Sequence, residues 1–125
     1  MTKKILVIDD DPTFQKTISD TLNSVGYEVL LAYDGQEGLL MTERESPNLI
    51  ILDLVMPKLG GIDFLKALQK DKDSNKIPVL ISSNFSGSDK VNEGMEYGVR
   101  GYIVKSDESL KTIVNAVESI IGKGE

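Results

Sequence analysis

The chain predicts a single α/β domain built on a buried parallel sheet, and three observations predict it. Short apolar runs alternate five times with longer stretches of helical periodicity, the pattern of strands joined by crossover helices. One run, Leu49-Ile50-Ile51-Leu52, has no polar alternation at all, so both of its faces must be covered, as in a central parallel strand. The polar residues that close these runs are of few kinds: aspartate, serine and lysine. Crossovers between parallel neighbours are right-handed, so the expected product is a three-layer α/β sandwich with five strands and five helices.

Each element has its own signal. Ile5-Leu6-Val7-Ile8 reads as the first strand, closed by Asp9, Asp10 and Asp11. Asp11 followed by Pro12 reads as an N-cap and first helical position, because proline has no N–H to lose there. The first helix then carries Phe14, Ile18, Leu22 and Val25 on one face and stops at Gly26. Val29 to Ala32 is the second strand. Asp34 and Gly35 open a second helix expected to bury Leu39, Leu40 and Met41, ended by Ser46-Pro47. The third strand runs from Leu49 into Asp53 and the chain turns at Pro57.

Gly60 and Gly61 precede a third helix with Ile62, Phe64, Leu65 and Leu68, and the polar segment 71–76 forms a surface loop. After Pro78, Val79-Leu80-Ile81 is the fourth strand, ending in Ser82 and Ser83. The fourth helix, about 88 to 97, is the weakest: it offers Val91, Met95 and Tyr97 and contains Gly94, which costs roughly 1 kcal/mol against alanine. Tyr102-Ile103-Val104 is the fifth strand and ends in Lys105. The last helix, Leu110 to about Ile121, places Leu110, Ile113, Val114, Val117, Ile120 and Ile121 at helical spacing.

Composition narrows the chemistry. The 125 residues fit one domain, 1–125, and a net charge of −6 disfavours unaided nucleic-acid binding by repelling a phosphate backbone. The chain has neither cysteine nor histidine. That removes disulfides, thiolate nucleophiles, Ser/His triads and imidazole–zinc sites together. The apolar run at Ile5 to Ile8 is too short for a signal-peptide core or a membrane span, so a cytoplasmic protein with no membrane role is expected.

What remains is at the strand ends: Asp9 and Asp10 after the first, Asp53 after the third, Ser83 after the fourth, Lys105 after the fifth. Singly, each has a plainer explanation as a cap, a loop carboxylate or a solvated lysine. Side by side in a parallel sheet they converge on one edge, where ligands of open α/β sheets bind. Three carboxylates brought together resist joint ionisation unless a cation holds them. A hard divalent ion suits them, Mg²⁺ best, since it takes one or two carboxylates plus waters and phosphate oxygens. A hydroxyl and an ammonium complete what a phosphoryl group requires, which makes Asp53 the candidate nucleophile.

With these residues assembled, the chain resembles the receiver domain of two-component response regulators, from Lys4 to about Ile121. The carriers are Asp9-Asp10, the segment Asp53-Leu54-Val55-Met56-Pro57 with Gly61, Ser83, and Tyr102-Ile103-Val104-Lys105. The resemblance implies a flavodoxin-like, CheY-like fold with strand order 2-1-3-4-5. It implies Asp53 as phosphoacceptor, Mg²⁺ bound by Asp10 directly, Asp9 mainly through water, Asp53 itself and the backbone carbonyl of Val55. Lys105 and Ser83 would bind phosphoryl oxygens, with Ser83 and the aromatic Tyr102 forming the switch. It further implies a histidine kinase or phosphotransfer protein as donor, a downstream protein partner, and a monomer or weak phosphorylation-linked dimer. Such a protein accepts a phosphoryl group without being an enzyme in the turnover sense.

Three departures from the family pattern stand out. Ser106 replaces the usual proline after the lysine; a cis bond there would cost about 2.5–4 kcal/mol, so a trans bond is expected. Asn84 replaces a usually small residue after the switch hydroxyl. Val55 and Phe85 put apolar side chains beside the phosphoryl site, which predicts poorly placed water and a long-lived phosphoryl group. Rival readings fare worse. A haloacid-dehalogenase-type phosphatase needs a second aspartate where Val55 stands, and an FMN carrier would not place Asp9, Asp10 and Asp11 against a phosphate. A phosphorylation-independent interaction module is the alternative that Ser106 and Asn84 favour. No output domain follows the last helix, so either a stand-alone receiver or a piece of a longer regulator is expected.

Overall fold

The computed structural model describes residues 2–56, 58–84, 89–105 and 109–124, of which 89–91 as backbone. Five strands and five helices alternate: β1 (Lys4–Ile8), α1 (Pro12–Ser24), β2 (Glu28–Ala32), α2 (Gly35–Glu45), β3 (Leu49–Asp53), α3 (Gly61–Lys70), β4 (Val79–Ser83), α4 (Asp89–Met95), β5 (Gly101–Val104) and α5 (Leu110–Ile121). The strands form one parallel sheet, as the sequence pattern predicted, in the order β2-β1-β3-β4-β5 that the family resemblance implied. All five residues of β3 and all five of β4 are buried, the signature of strands covered on both faces.

Alternation along the strands builds two cores. Leu6, Ile8, Ile50, Leu52 and Ile81 face the layer containing Phe64, Leu65 and Leu68 of α3. Ile5, Val7, Leu49, Ile51 and Leu80 face Ile18 and Leu22 of α1 and Ile113 and Val117 of α5. Each such fully buried side chain contributes roughly 1.5–3 kcal/mol, and the two cores hold the strand ends in register: Asp53 opposite Ser82, Ser83 opposite Val104.

Helix starts follow the expected chemistry. Asp11 caps α1, its side chain accepting from the backbone N–H groups of Thr13 and Phe14, and Asp34 caps α2 through Glu37 N–H. Helical periodicity misjudged depth in four places. Val25 is the C-cap of α1 rather than part of its buried face, and Leu40, Met95 and Leu110 are exposed. Helix α2 presents Gly35, Gly38 and Thr42 inward instead, so it lies too close to the sheet for a leucine beneath it. The weak fourth helix ends at Met95, two residues before the predicted end. Its Gly94 has a packing reason: an added Cβ would lie 2.7 Å from Ile81 Cδ1, so the missing side chain lets the helix approach β4. The predicted start at Ser88 lies outside the described residues.

Candidate functional site

The strand order reverses direction at β1: the chain leaves it for β2 on one side and returns to β3 on the other. The crevice between the C-terminal ends of β1 and β3 is therefore the topological switch point. Asp9 follows β1, its backbone N–H donating to Ala32 O at 3.0 Å, and Asp53 closes β3. On the far side, Lys105 N–H donates to Ser83 O at 2.7 Å, which ties the residue after β5 to the end of β4.

Lys105 crosses to the carboxylates. Its Nζ lies 2.5 Å from Asp9 Oδ2 and 3.3 Å from Asp53 Oδ2, and its side chain is 8% exposed. The other oxygens are held by backbone: Asp53 Oδ1 accepts from Val55 N–H at 3.1 Å, and Asp9 Oδ1 from Asp11 N–H at 2.9 Å. Asp9 is fully buried and Asp10 is exposed. A cavity of about 140 Å³ opens above them, lined by Asp10, Asp11, Asp53, Val55, Ser83, Asn84 and Lys105. Ser83 is buried in its wall, and Val55 is half exposed at its mouth.

One ammonium does not balance these acids. Burial pushes the Asp53 carboxyl up despite the Val55 N–H and Lys105 beside it, with Asp9 adding repulsion. Burial likewise pushes Asp9 up against the opposing pull of Lys105. Lys105 is itself raised: burial works against its charge, but the two carboxylates outweigh that. Oxygens of Asp9, Asp10 and Asp53 lie within 4.8 Å of one another, the one group of potential metal ligands among the described residues. Hard oxygen donors around uncompensated negative charge are a donor set for a small divalent cation.

Asp9, Asp10, Asp53, Val55, Ser83 and Lys105, all proposed from the sequence, thus meet at this edge. Tyr102 stands apart on β5, 45% exposed, its backbone paired with Ile81. Asp11, expected as a cap, is one. Phe85 and Ser106, with the Lys105–Ser106 bond, lie outside the described residues.

Two residues were read only as helix. Gln15 is buried on α1, its Nε2 donating to Asp9 O at 2.8 Å and Ala32 O at 2.6 Å, so it fastens the ends of β1 and β2 together. Phe14 sets its ring 4.7 Å from Lys105 Nζ. A polar residue three positions before Ile18, on the apolar stripe, was the available signal for Gln15; nothing in the sequence pointed to the ring–ammonium contact.

Fold and site together define a doubly wound α/β domain with an acidic pocket at its switch point, whose donor set suits a divalent cation. The chain belongs to the response regulator receiver domain family, whose model matches residues 5–118. It is 39% identical over 118 residues to the probable transcriptional regulator ycf27 of Porphyridium aerugineum, covering 92% of this chain and 48% of that protein. Protein PilH of Pseudomonas aeruginosa is 35% identical over 117 residues, covering 91% of this chain and 96% of PilH. The chain thus spans about half the length of the ycf27 relative and nearly all of PilH. Chemotaxis protein CheY4 of Vibrio cholerae superposes with a TM-score of 0.88 at 29% identity, covering 96% of this chain and 99% of that one. Receiver domains are signalling modules of two-component systems. No helix among the described residues is long and apolar enough to cross a membrane.

Proposed function

We propose that this chain, as one receiver domain over 1–125, accepts a phosphoryl group on Asp53 from the phosphohistidine of a histidine kinase or phosphotransfer protein in the cytoplasm. The observation that carries this reading is the placement of Lys105 Nζ across Asp9 and Asp53 in a small acidic cavity at the sheet edge. An Asp53 carboxylate oxygen attacks phosphorus as the P–N bond breaks and its electron pair returns to the imidazole of the donor. Backbone N–H of Val55 and the ammonium of Lys105 orient the nucleophile from two sides. Mg²⁺, held by Asp10, by Asp9 through water, by Asp53 and by the Val55 carbonyl, would supply the positive charge that offsets the phosphoryl oxygens.

The new phosphoryl group adds negative charge that Lys105 and the Ser83 hydroxyl then satisfy. Movement of Ser83 toward it opens room for Tyr102 to turn inward, which changes the face made by α4, β5 and α5. The exposure of Tyr102, Met95 and Leu110 on those elements supports an output surface there, read by a downstream protein. The clustering of the acids, the hydroxyl and the lysine supports the phosphorylated reading over a phosphorylation-independent module. Incubation with Mg²⁺ and a small acyl-phosphate donor tests it. The parent gains the mass of one phosphoryl group, and Asp53→Ala or chelation of the metal abolishes the gain; no gain in the parent overturns the proposal.

A further inference from the structure

We propose that Phe14 is a positioning residue for Lys105, its ring face holding the ammonium over Asp53; this rests on Asp53 being the phosphoacceptor. Lys105 arrives at the site from the end of β5, on a side chain whose free rotation would cost it its aim. Among the described residues, three groups contact its Nζ. Asp9 and Asp53 contact it from the crevice side, and the Phe14 ring centroid lies 4.7 Å away. That distance is within the range in which an aromatic face attracts a cation, and the attraction is larger where water is excluded, as at this 8%-exposed lysine.

The ring itself is well anchored. Phe14 packs against the core between the sheet and α1 and α5. Its backbone N–H donates to the capping carboxylate of Asp11 at 3.3 Å. The cap that starts α1 therefore also sets where the ring stands.

The three contacts differ in what the reaction does to them. Asp9 is shared with the group of potential metal ligands, and Asp53 loses its carboxylate charge when it becomes an acyl phosphate. Of these three contacts, the ring is the one left unchanged from start to finish. Phe14 thus supplies the hold on Lys105 that persists while the carboxylates exchange partners, keeping the ammonium where the incoming phosphoryl oxygens arrive.

The test uses the whole chain, Mg²⁺ and a small acyl-phosphate donor, so that no protein partner's docking enters. Phe14→Leu keeps an apolar side chain of similar bulk but no π face. It should lower the limiting phosphorylation rate roughly three- to tenfold with the donor's half-saturation unchanged, the fold-change to which a contact of this kind corresponds. Phe14→Tyr and Phe14→Trp should restore the rate. The upfield ring-current shift of the Lys105 ε-methylene protons should vanish in Phe14→Leu and survive in Phe14→Tyr. In a Lys105→Met background, Phe14→Leu should have no further effect. A folded Phe14→Leu protein that reacts at the parent rate overturns the proposal, as does an undiminished effect without Lys105. A parent that takes up no phosphoryl group overturns the phosphoacceptor reading itself, which the first comparison separates from failure of Phe14 alone.

Discussion

Replacing Asp53 with asparagine should stabilise the metal-free protein, because the structure holds this carboxylate in a place that does not favour its charge. Asp53 is 7% exposed. Its attraction to Lys105 at 3.3 Å amounts to about 5 kcal/mol at an effective dielectric of about 20. Repulsion from Asp9, whose oxygen lies within 4.8 Å, returns about 3.5 kcal/mol by the same relation. The remaining ~1.5 kcal/mol of attraction stands against a desolvation cost of several kcal/mol for a buried ion. Asparagine keeps an acceptor for Val55 N–H and leaves Lys105 paired with Asp9, so Asp53→Asn should gain about 1–2 kcal/mol at neutral pH.

The sign with pH follows from the raised carboxyls of Asp53 and Asp9. A folded-state pKa raised above the unfolded one contributes stability that is present in acid and lost as pH rises through the raised value. The metal-free parent should therefore be more stable in mild acid than at neutrality as far as these groups decide it, and the advantage of Asp53→Asn should shrink there. Urea unfolding of both proteins with chelator at two pH values, then with Mg²⁺, measures this. Mg²⁺ should stabilise the parent far more than the variant. A variant less stable than the parent in chelator at neutral pH would refute the electrostatic reasoning.

The other expectations concern lifetime, backbone packing and capping. Val55 is half exposed at the cavity mouth, so Val55→Asn, alone or with Phe85→Glu, should bring water to the phosphoryl group and speed its loss; release of inorganic phosphate after donor removal checks it, and equal rates in both variants and parent sink it. Gly61 N–H donates to Leu54 O at 3.1 Å, and an added Cβ would lie 2.5 Å from Leu54 Cα and 2.8 Å from Asp53 O. Since backbone cannot yield as a side chain does, Gly61→Ala should cost about 1–3 kcal/mol in urea unfolding and slow phosphorylation by shifting Asp53. Asp34→Ala removes the cap on α2 and the partner of Lys58 at 3.4 Å; a loss of about 1 kcal/mol is expected, and no loss would mean the cap is replaced.

The architecture was legible because its signals are local. An unalternated run such as Leu49 to Leu52, short and rich in β-branched residues, reads as a covered strand, and Asp11-Pro12 before an apolar periodicity reads as a helix start. The meeting of Asp9, Asp53 and Lys105 was legible for a different reason: parallel strands put all their C-terminal ends on one edge, so strand-end residues are neighbours whatever their separation in sequence. Depth was not legible. Periodicity identifies the face of α2 but not how near it lies to the sheet, and there Gly38 is buried while Leu40 is exposed. Side-chain reach was not legible either. That Lys105 bridges two carboxylates and rests against the Phe14 ring, and that Gln15 ties two strand ends together, depends on distances between elements that only their packing sets.

The most direct test of the central claim is to locate the phosphoryl group. After reaction with Mg²⁺ and an acyl-phosphate donor, borohydride reduction converts a phosphorylated aspartate to homoserine, which fragmentation mass spectrometry assigns to a residue. The account requires homoserine at position 53 and nowhere else, absent when metal is chelated. Homoserine at position 9 or 10, or none in a protein that has gained phosphoryl mass, would contradict it.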